Sequence, residues 1–402
     1  MKKILIVTHA MNIGGIEKSL LYLLKSFDYN KYEVDLFLMR KEGELLNEIP
    51  KEVNILPVIP ACTCYAKSLK EVIIQRHFLM VLGRVFAKFK ARIFIKRKKI
   101  NKKISSVELE YSHKYTIKFL PRLKQNKVYD LAISFATPHY FVRDKVCAKK
   151  KAAWVHTDYS TIRIDYNSEI LMWKAYDHIV AVSDACLQSF LNTFPTLKNK
   201  SMVIENILLP NEIEKESLKK ADDKLFICSN SVINILSVGR FAKAKNFEII
   251  PEIVANLKKR GIEVCWYLIG FGSTENDIRK KIGEFNVKNN VIILGKKDNP
   301  YPYMRNCDVY IQPSLFEGKC VAVREAQILN KPVIITNYST AKSQVISGVN
   351  GYIISQEKEK IILELYDLLK NKNKLDQVSE NCKKIDFGNV TEIRKIYDMM
   401  KE

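Results

Sequence analysis

The stretch Lys3-Ile4-Leu5-Ile6-Val7-Thr8-His9-Ala10-Met11-Asn12-Ile13-Gly14-Gly15, running into the apolar segment Ile16 to Phe27, decides the fold class. A short buried strand, a glycine-bearing loop and an apolar helix are the βα opening of a doubly wound sheet. Further strands are expected at Glu33–Leu38, Asp130–Phe135, Ala152–Val155, His178–Val182 and Met202–Ile204, with helix-length spacings that argue for parallel pairing. The polar stretch Pro210–Lys224 has no firm period and reads as an interdomain connection. The pattern then restarts with strands at Ile233–Val238, Val264–Ile269, Val291–Leu294, Val309–Gln312 and Val333–Thr336, and a helix at Asn246–Arg260. The fold class expected is α/β with two Rossmann-like doubly wound domains, 1–208 and 209–402. A last helix over 391–401, spaced by Ile393, Ile396, Tyr397 and Met400, is expected to pack back on the first domain.

A chain of 402 residues exceeds the length at which one core keeps growing, in keeping with two domains. The net charge of +22 predicts attraction to polyanions: nucleic acid, an anionic membrane or a phosphorylated substrate. Nine cysteines without paired metal spacing fit free thiols in a reducing cytoplasm. The apolar run Ile4–Val7 is too short for a signal-peptide core, and no segment reaches bilayer-spanning length.

One segment breaks the alternation. Val72–Val107 holds eleven Lys or Arg and no Asp or Glu. Phe78, Leu82, Val85, Phe86, Phe89 and Ile93 share one helical face, so the segment reads as a basic amphipathic helix pair inserted in the first domain. It is expected to dock on an anionic membrane, or else to bury its apolar side on the domain.

The chemistry concentrates in Pro313-Ser314-Leu315-Phe316-Glu317-Gly318, with Glu325-Ala326 following. At a helical rise of about 1.5 Å per residue the two glutamates stand on the order of 10 Å apart, the span from the sugar to the ribose of a nucleotide sugar. Glu317 suits sugar hydroxyls and Glu325 the ribose diol. Between them Gly318, Lys319 and Cys320, with Val321 next, offer N–H groups at a helix N-terminus, an anion site for a diphosphate. Arg240 and Lys245 follow a strand and are expected to open a helix and converge on the same diphosphate.

This arrangement is similar to the E-x7-E motif of the retaining glycosyltransferases of family 4, which have the GT-B fold, two Rossmann-like domains facing across a cleft. The resemblance extends through Gly14-Gly15-Ile16-Glu17-Lys18-Ser19, Trp154-Val155-His156-Thr157-Asp158, Ala181-Val182-Ser183-Asp184, Val203-Ile204-Glu205-Asn206, Ser237-Val238-Gly239-Arg240 with Lys245, and Val349-Asn350-Gly351. It implies a loop at Gly14 and Gly15 under the sugar and phosphates, His156 near the sugar's C6 hydroxyl with Asp158 orienting it or the acceptor, Gly270 in the donor pocket, and Gly295 and Lys296 by the base. Gly318-Lys319-Cys320 in place of the usual Gly-Phe-Gly type of continuation, and Arg324 before Glu325, leave the donor sugar open. The family mechanism is front-side attack through an oxocarbenium-like ion pair, the departing phosphate taking the acceptor proton. No protein nucleophile is expected, nor a cofactor or metal, since no D-x-D triplet is present.

The function so implied is transfer of a hexosyl or N-acetylhexosaminyl unit from a nucleotide-diphosphate sugar, UDP-linked, to a lipid-linked or glycan acceptor in cell-surface polysaccharide synthesis. The enzyme would work in the cytoplasm, peripheral on the inner face of the membrane. A nucleotide-sugar epimerase of the same architecture is the alternative, separable by product analysis without acceptor. Nucleic-acid binding is disfavoured, because the aromatics of the basic segment line one apolar face instead of interleaving with its cations.

Overall fold

The computed structural model describes residues 1–101, 105–123, 127–221 and 232–401. The chain forms two units: 1–205 together with the segment from Thr391 onward, and 206–390.

The first unit holds strands β1 (Lys2–Thr8), β2 (Tyr32–Leu38), β3 (Asn54–Ile55), β4 (Tyr129–Ser134), β5 (Ala148–Val155), β6 (His178–Ala181) and β7 (Ser201–Val203). They lie in the order β3-β2-β1-β4-β5-β6-β7, and every pairing is parallel. Its helices are α1 (Gly15–Lys25), α2 (Leu69–Ile74), α3 (Phe78–Arg97), α4 (Val107–Thr116), α5 (His139–Lys145), α6 (Tyr166–Trp173) and α7 (Asp184–Thr193). The apolar run Ile4–Val7 is fully buried, as a strand sandwiched between helical layers must be. Leu20 to Leu24 of α1 are also buried.

The second unit holds α8 (Pro210–Ser217), β8 (Ile233–Val238), α9 (Ile250–Lys259), β9 (Val264–Ile269), α10 (Glu275–Glu284), β10 (Val291–Gly295), α11 (Tyr301–Asn306), β11 (Val309–Gln312), α12 (Val321–Ile328), β12 (Val333–Thr336), β13 (Tyr352–Ile354), α13 (Lys358–Lys370) and α14 (Lys372–Lys383). Its sheet runs β10-β9-β8-β11-β12-β13, again all parallel. Strand order reverses between β8 and β11, so the loops leaving these neighbours diverge and open the crevice that doubly wound sheets use for ligands.

The closing helix α15 (Ile393–Asp398) belongs to the first unit. The Tyr397 ring stacks on Tyr32 at 4.0 Å, and its hydroxyl accepts the Asp28 N–H at 3.0 Å.

Three expectations need correction. Pro210–Lys224 is not a featureless connection: Pro210 fills the first turn of α8, and Ile213 and Ser217 are buried in the second unit. Residues 222–224 lie outside the described part. The helix expected from Asn246 starts as α9 at Ile250, because Asn246 takes a left-handed φ of 56° and a 3-10 turn fills Phe247–Ile249. Free thiols are found at Cys62, Cys64, Cys147, Cys186, Cys307, Cys320 and Cys382, but Cys265 is disulfide-bonded.

Among its described residues the basic segment 72–107 is mainly the single long helix α3 and not the expected helix pair; residues 102–104 lie outside the described part. Its buried residues are Met80, Gly83, Ala87 and Ala91, not the aromatic stripe, which is exposed.

Candidate active site

Glu317 sits in the loop leaving β11, and Lys245 in a 3-10 turn (Lys243–Lys245) of the loop leaving β8. These loops flank the point where strand order reverses. Lys245 Nζ donates to Glu317 Oε1 at 2.6 Å, and Ser314 Oγ donates to the same oxygen at 2.6 Å. Behind Ser314 a buried relay continues: Gln312 Nε2 donates to Ser314 Oγ at 3.0 Å, and Tyr310 OH to Gln312 Oε1 at 2.8 Å. Thr340 Oγ1 also donates to the Glu317 carbonyl at 2.9 Å. The carboxylate is thus held by an anchored hydroxyl and a cation, a fixed geometry in a partly water-excluded place.

Burial works against charge on Lys245, yet its pKa is held above the ordinary lysine value by Cys320 and Glu317. Burial pushes the Cys320 thiol up to about 12, so it is neutral at pH 7 and the carboxylate is the partner that matters. Arg240, one residue after Gly239 at the end of β8, is exposed. Neither Arg240 nor Lys245 opens an α-helix, contrary to the sequence reading, since α9 begins five residues beyond Lys245.

Glu325 lies in the second turn of α12, 5% exposed, and accepts the Tyr301 hydroxyl at 2.7 Å. The helix itself begins at Val321, with Cys320 at its cap and Gly318 and Lys319 in the preceding loop. The Cys320 N–H was expected to face an anion. It donates instead to Gln344 Oε1 at 2.9 Å, while Gln344 Nε2 donates to the Cys320 carbonyl at 2.8 Å. This two-point clasp takes one of the three expected donors away from any ligand.

Three glycines end adjacent strands. Gly239 N donates to the Ile269 carbonyl and Gly270 N to the Gly295 carbonyl. Gly270 has φ 149°, and a Cβ there would meet Gly239 O at 1.9 Å, so only glycine lets these two loops lie side by side. Lys296, next after Gly295, stands over the Phe271 ring at 5.0 Å.

In the first unit Gly14 caps α1 in extended backbone, and a Cβ at Gly15 would meet nothing within 4 Å. His156 follows β5 and is partly buried; its Nε2 donates to the Phe135 carbonyl at 2.8 Å. A carbonyl only accepts, so Nε2 carries the proton. Burial pulls the ring's pKa down to about 4, with the hydrogen bond to Phe135 opposing, so at pH 7 the ring is neutral and Nδ1 is an acceptor. Asp158 turns inward: its Oδ1 accepts the Ser160 N–H and hydroxyl, so it shapes the loop.

Sequence reasoning missed Ser314, Thr340, Gln344 and Tyr301 as supports. Ser314 stood inside the quoted motif, three residues before Glu317. Nothing in the local pattern marks Gln344 or Tyr301.

Residues 215–385 match the family described as Glycosyl transferases group 1. Over most of its length the second unit is thus similar in sequence to group 1 glycosyltransferases. The Staphylococcus aureus capsular polysaccharide biosynthesis glycosyltransferase CapM is 28% identical over 54% of this chain and 58% of its own length. A Campylobacter jejuni N-acetylgalactosaminyltransferase acting on N-acetylgalactosamine-N,N'-diacetylbacillosaminyl-diphospho-undecaprenol is 22% identical over 58% of this chain and 62% of its own. The chain thus spans little more than half the length of these curated relatives. Anabaena HepE, solved with UDP and glucose, superposes with a TM-score of 0.67 at 16% identity, covering 100% of both chains. That likeness shows the GT-B fold. The epimerase alternative draws no support from these relatives.

Proposed function

We propose that this protein is a retaining glycosyltransferase that moves a hexosyl or N-acetylhexosaminyl unit from a UDP-sugar to a lipid-linked or glycan acceptor in surface polysaccharide synthesis. The observation that carries the reading is the Lys245–Glu317 bridge at the strand-order reversal of a unit similar to group 1 glycosyltransferases. The donor class is supported by HepE with UDP and glucose, and the acceptor class by the Campylobacter transferase named for a diphospho-undecaprenol acceptor. An acceptor of that kind resides at a membrane, so the enzyme works peripherally on the inner face of the cell membrane.

In this reading Lys245 and Arg240 stabilise the charge that accumulates on the diphosphate as the glycosidic bond breaks, without a metal ion. Glu317, anchored by Ser314, positions the sugar through its hydroxyls; already neutralised by Lys245, it is a positioner and not a base. Glu325, held by Tyr301, takes the ribose diol. Gly14, Gly15, Gly270, Gly295 and Lys296 line the donor, with Gly318, Lys319 and Val321 at the diphosphate. His156 accepts a sugar hydroxyl at Nδ1. A released-nucleotide assay across UDP-, GDP- and ADP-sugars with a panel of lipid-linked acceptors tests the proposal: acceptor-dependent UDP release supports it, and none with any pair refutes it.

A further inference from the structure

Among the described residues, helix α3, Phe78–Arg97, is a large feature that sugar transfer leaves unused. At about 100° per residue, Phe78, Leu82, Val85, Phe86, Phe89 and Ile93 cluster near one direction. Met80, Gly83, Ala87 and Ala91 point nearly opposite. The structure buries the second set and exposes the first, Leu82 by 64% and Phe89 by 60%. A soluble surface normally scatters its large apolar side chains; here six share one stripe along a helix about 30 Å long.

The helix cannot roll to hide them. Gly83 lies so close to the end of α4 and the turn after it that a Cβ would meet Thr116 Cγ2 at 2.9 Å and Phe119 Cε2 at 3.0 Å. The Arg84 guanidinium donates to the carbonyls of Cys64 at 2.9 Å and Lys67 at 2.7 Å, pinning the helix from the side. With small residues on the inner face and the large ones outside, rotation would force Phe89 or Leu82 into a seam sized for alanine.

The charges decide what covers the stripe. On the same angular scale Lys90 and Arg97 flank it on one side and Lys88 and Arg92 on the other, with Lys96 among the apolar residues. Lys88 lies 3.9 Å from Glu108, and Lys90 stands over the Phe86 ring; Arg92, Lys96 and Arg97 make no ion pair among the described residues. A second copy of the chain would bring like charges together along the whole stripe. An anionic bilayer instead accepts the apolar side chains below its headgroups, while the long cationic side chains reach up to the phosphates.

We infer that α3 lies flat in the surface of an anionic lipid bilayer, with Phe78, Leu82, Val85, Phe86, Phe89 and Ile93 entering the acyl boundary and Lys88, Lys90, Arg92, Lys96 and Arg97 binding lipid phosphates. The inference deepens the proposed function by naming the surface that brings the enzyme to a lipid-linked acceptor. It is tested by flotation of the full-length protein with vesicles of phosphatidylcholine alone or with phosphatidylglycerol, at low and high salt. Wild type floats with the anionic vesicles and is released by salt. L82E/F89E, changed only at exposed positions, loses at least tenfold in partitioning. K90E/R92E loses affinity by about fivefold or more for each cation removed. Circular dichroism and unchanged turnover on a water-soluble acceptor verify that each variant is folded.

Equal recovery on both vesicle types, salt-insensitive binding, no binding, or self-association of wild type that L82E/F89E abolishes would each overturn the inference. Vesicle binding without sugar transfer by wild type on any acceptor would sink the transferase reading and leave the docking surface standing.

Discussion

Lys245 Nζ lies 2.6 Å from Glu317 Oε1 and joins the two loops that leave neighbouring strands β8 and β11. The cation assigned to the leaving diphosphate therefore also fixes the carboxylate assigned to the sugar. Removing either disturbs both tasks, so K245A and E317A should each slow transfer by roughly 100-fold, the scale for one transition-state donor. The double variant should lose little more than the worse single variant, because the two act as a unit. Steady-state kinetics of the four proteins give the cycle. Independent, multiplying losses would show that the bridge does not couple them.

Tyr301 touches Glu325 from α11 and carries none of the chemistry itself. Y301F removes one hydrogen bond to a buried carboxylate, about 1–2 kcal/mol, and should raise the donor KM by roughly five- to twentyfold with a smaller change in kcat. E325A should raise the donor KM further. A fall in kcat at constant KM for Y301F would place Glu325 elsewhere than on the bound nucleotide.

Arg240 and Lys245 are the positive charges assigned to the leaving group, so exhaustive dialysis against EDTA should leave turnover unchanged. Loss of activity that magnesium or manganese restores would contradict this division of labour.

His113 and His139 are buried and neutral, both with pKa drawn down to about 3 by burial and, secondarily, by neighbouring histidines. Below the unfolded value of 6.5 the unfolded chain takes up a proton that the folded chain refuses. Each ring's contribution is therefore complete above pH 6.5 and is lost as pH falls toward 3, at up to about 1.4 kcal/mol per pH unit. Glu169, pushed up to about 7 chiefly by burial, has the opposite slope between 4.5 and 7. Comparing a variant with wild type isolates one group. In H139N, urea unfolding of the first unit should depend less steeply on pH between 6 and 4.5, by about one proton. An unchanged slope would mean that His139 titrates normally.

Both parallel sheets were legible because a strand buried on two faces must read as an unbroken apolar run, as Ile4–Val7 and Val264–Ile269 do. The two-residue β3 carries too little pattern to register, and the three-residue β13 was passed over although the equally short β7 was read at Met202–Ile204. Helix α8 was missed because one buried isoleucine, Ile213, sets no period among its charges. The apolar stripe of α3 was visible, but its direction was not: periodicity finds a face without saying whether protein covers it. The small residues Gly83, Ala87 and Ala91 on the opposite face held that information. At the site, Glu317, Glu325 and Lys245 were found through spacing and resemblance. The Gln344 clasp on Cys320 depends on a contact across 24 residues, which no local pattern encodes.

The most direct test of sugar transfer is a mass balance on the acceptor. Full-length protein is incubated with a UDP-sugar and a lipid-linked acceptor, and UDP and acceptor mass are followed together. One UDP should appear for each acceptor that gains one hexose or N-acetylhexosamine, with no donor consumed when the acceptor is omitted. Donor isomerised without acceptor, or UDP released with no gain in acceptor mass, would contradict the account.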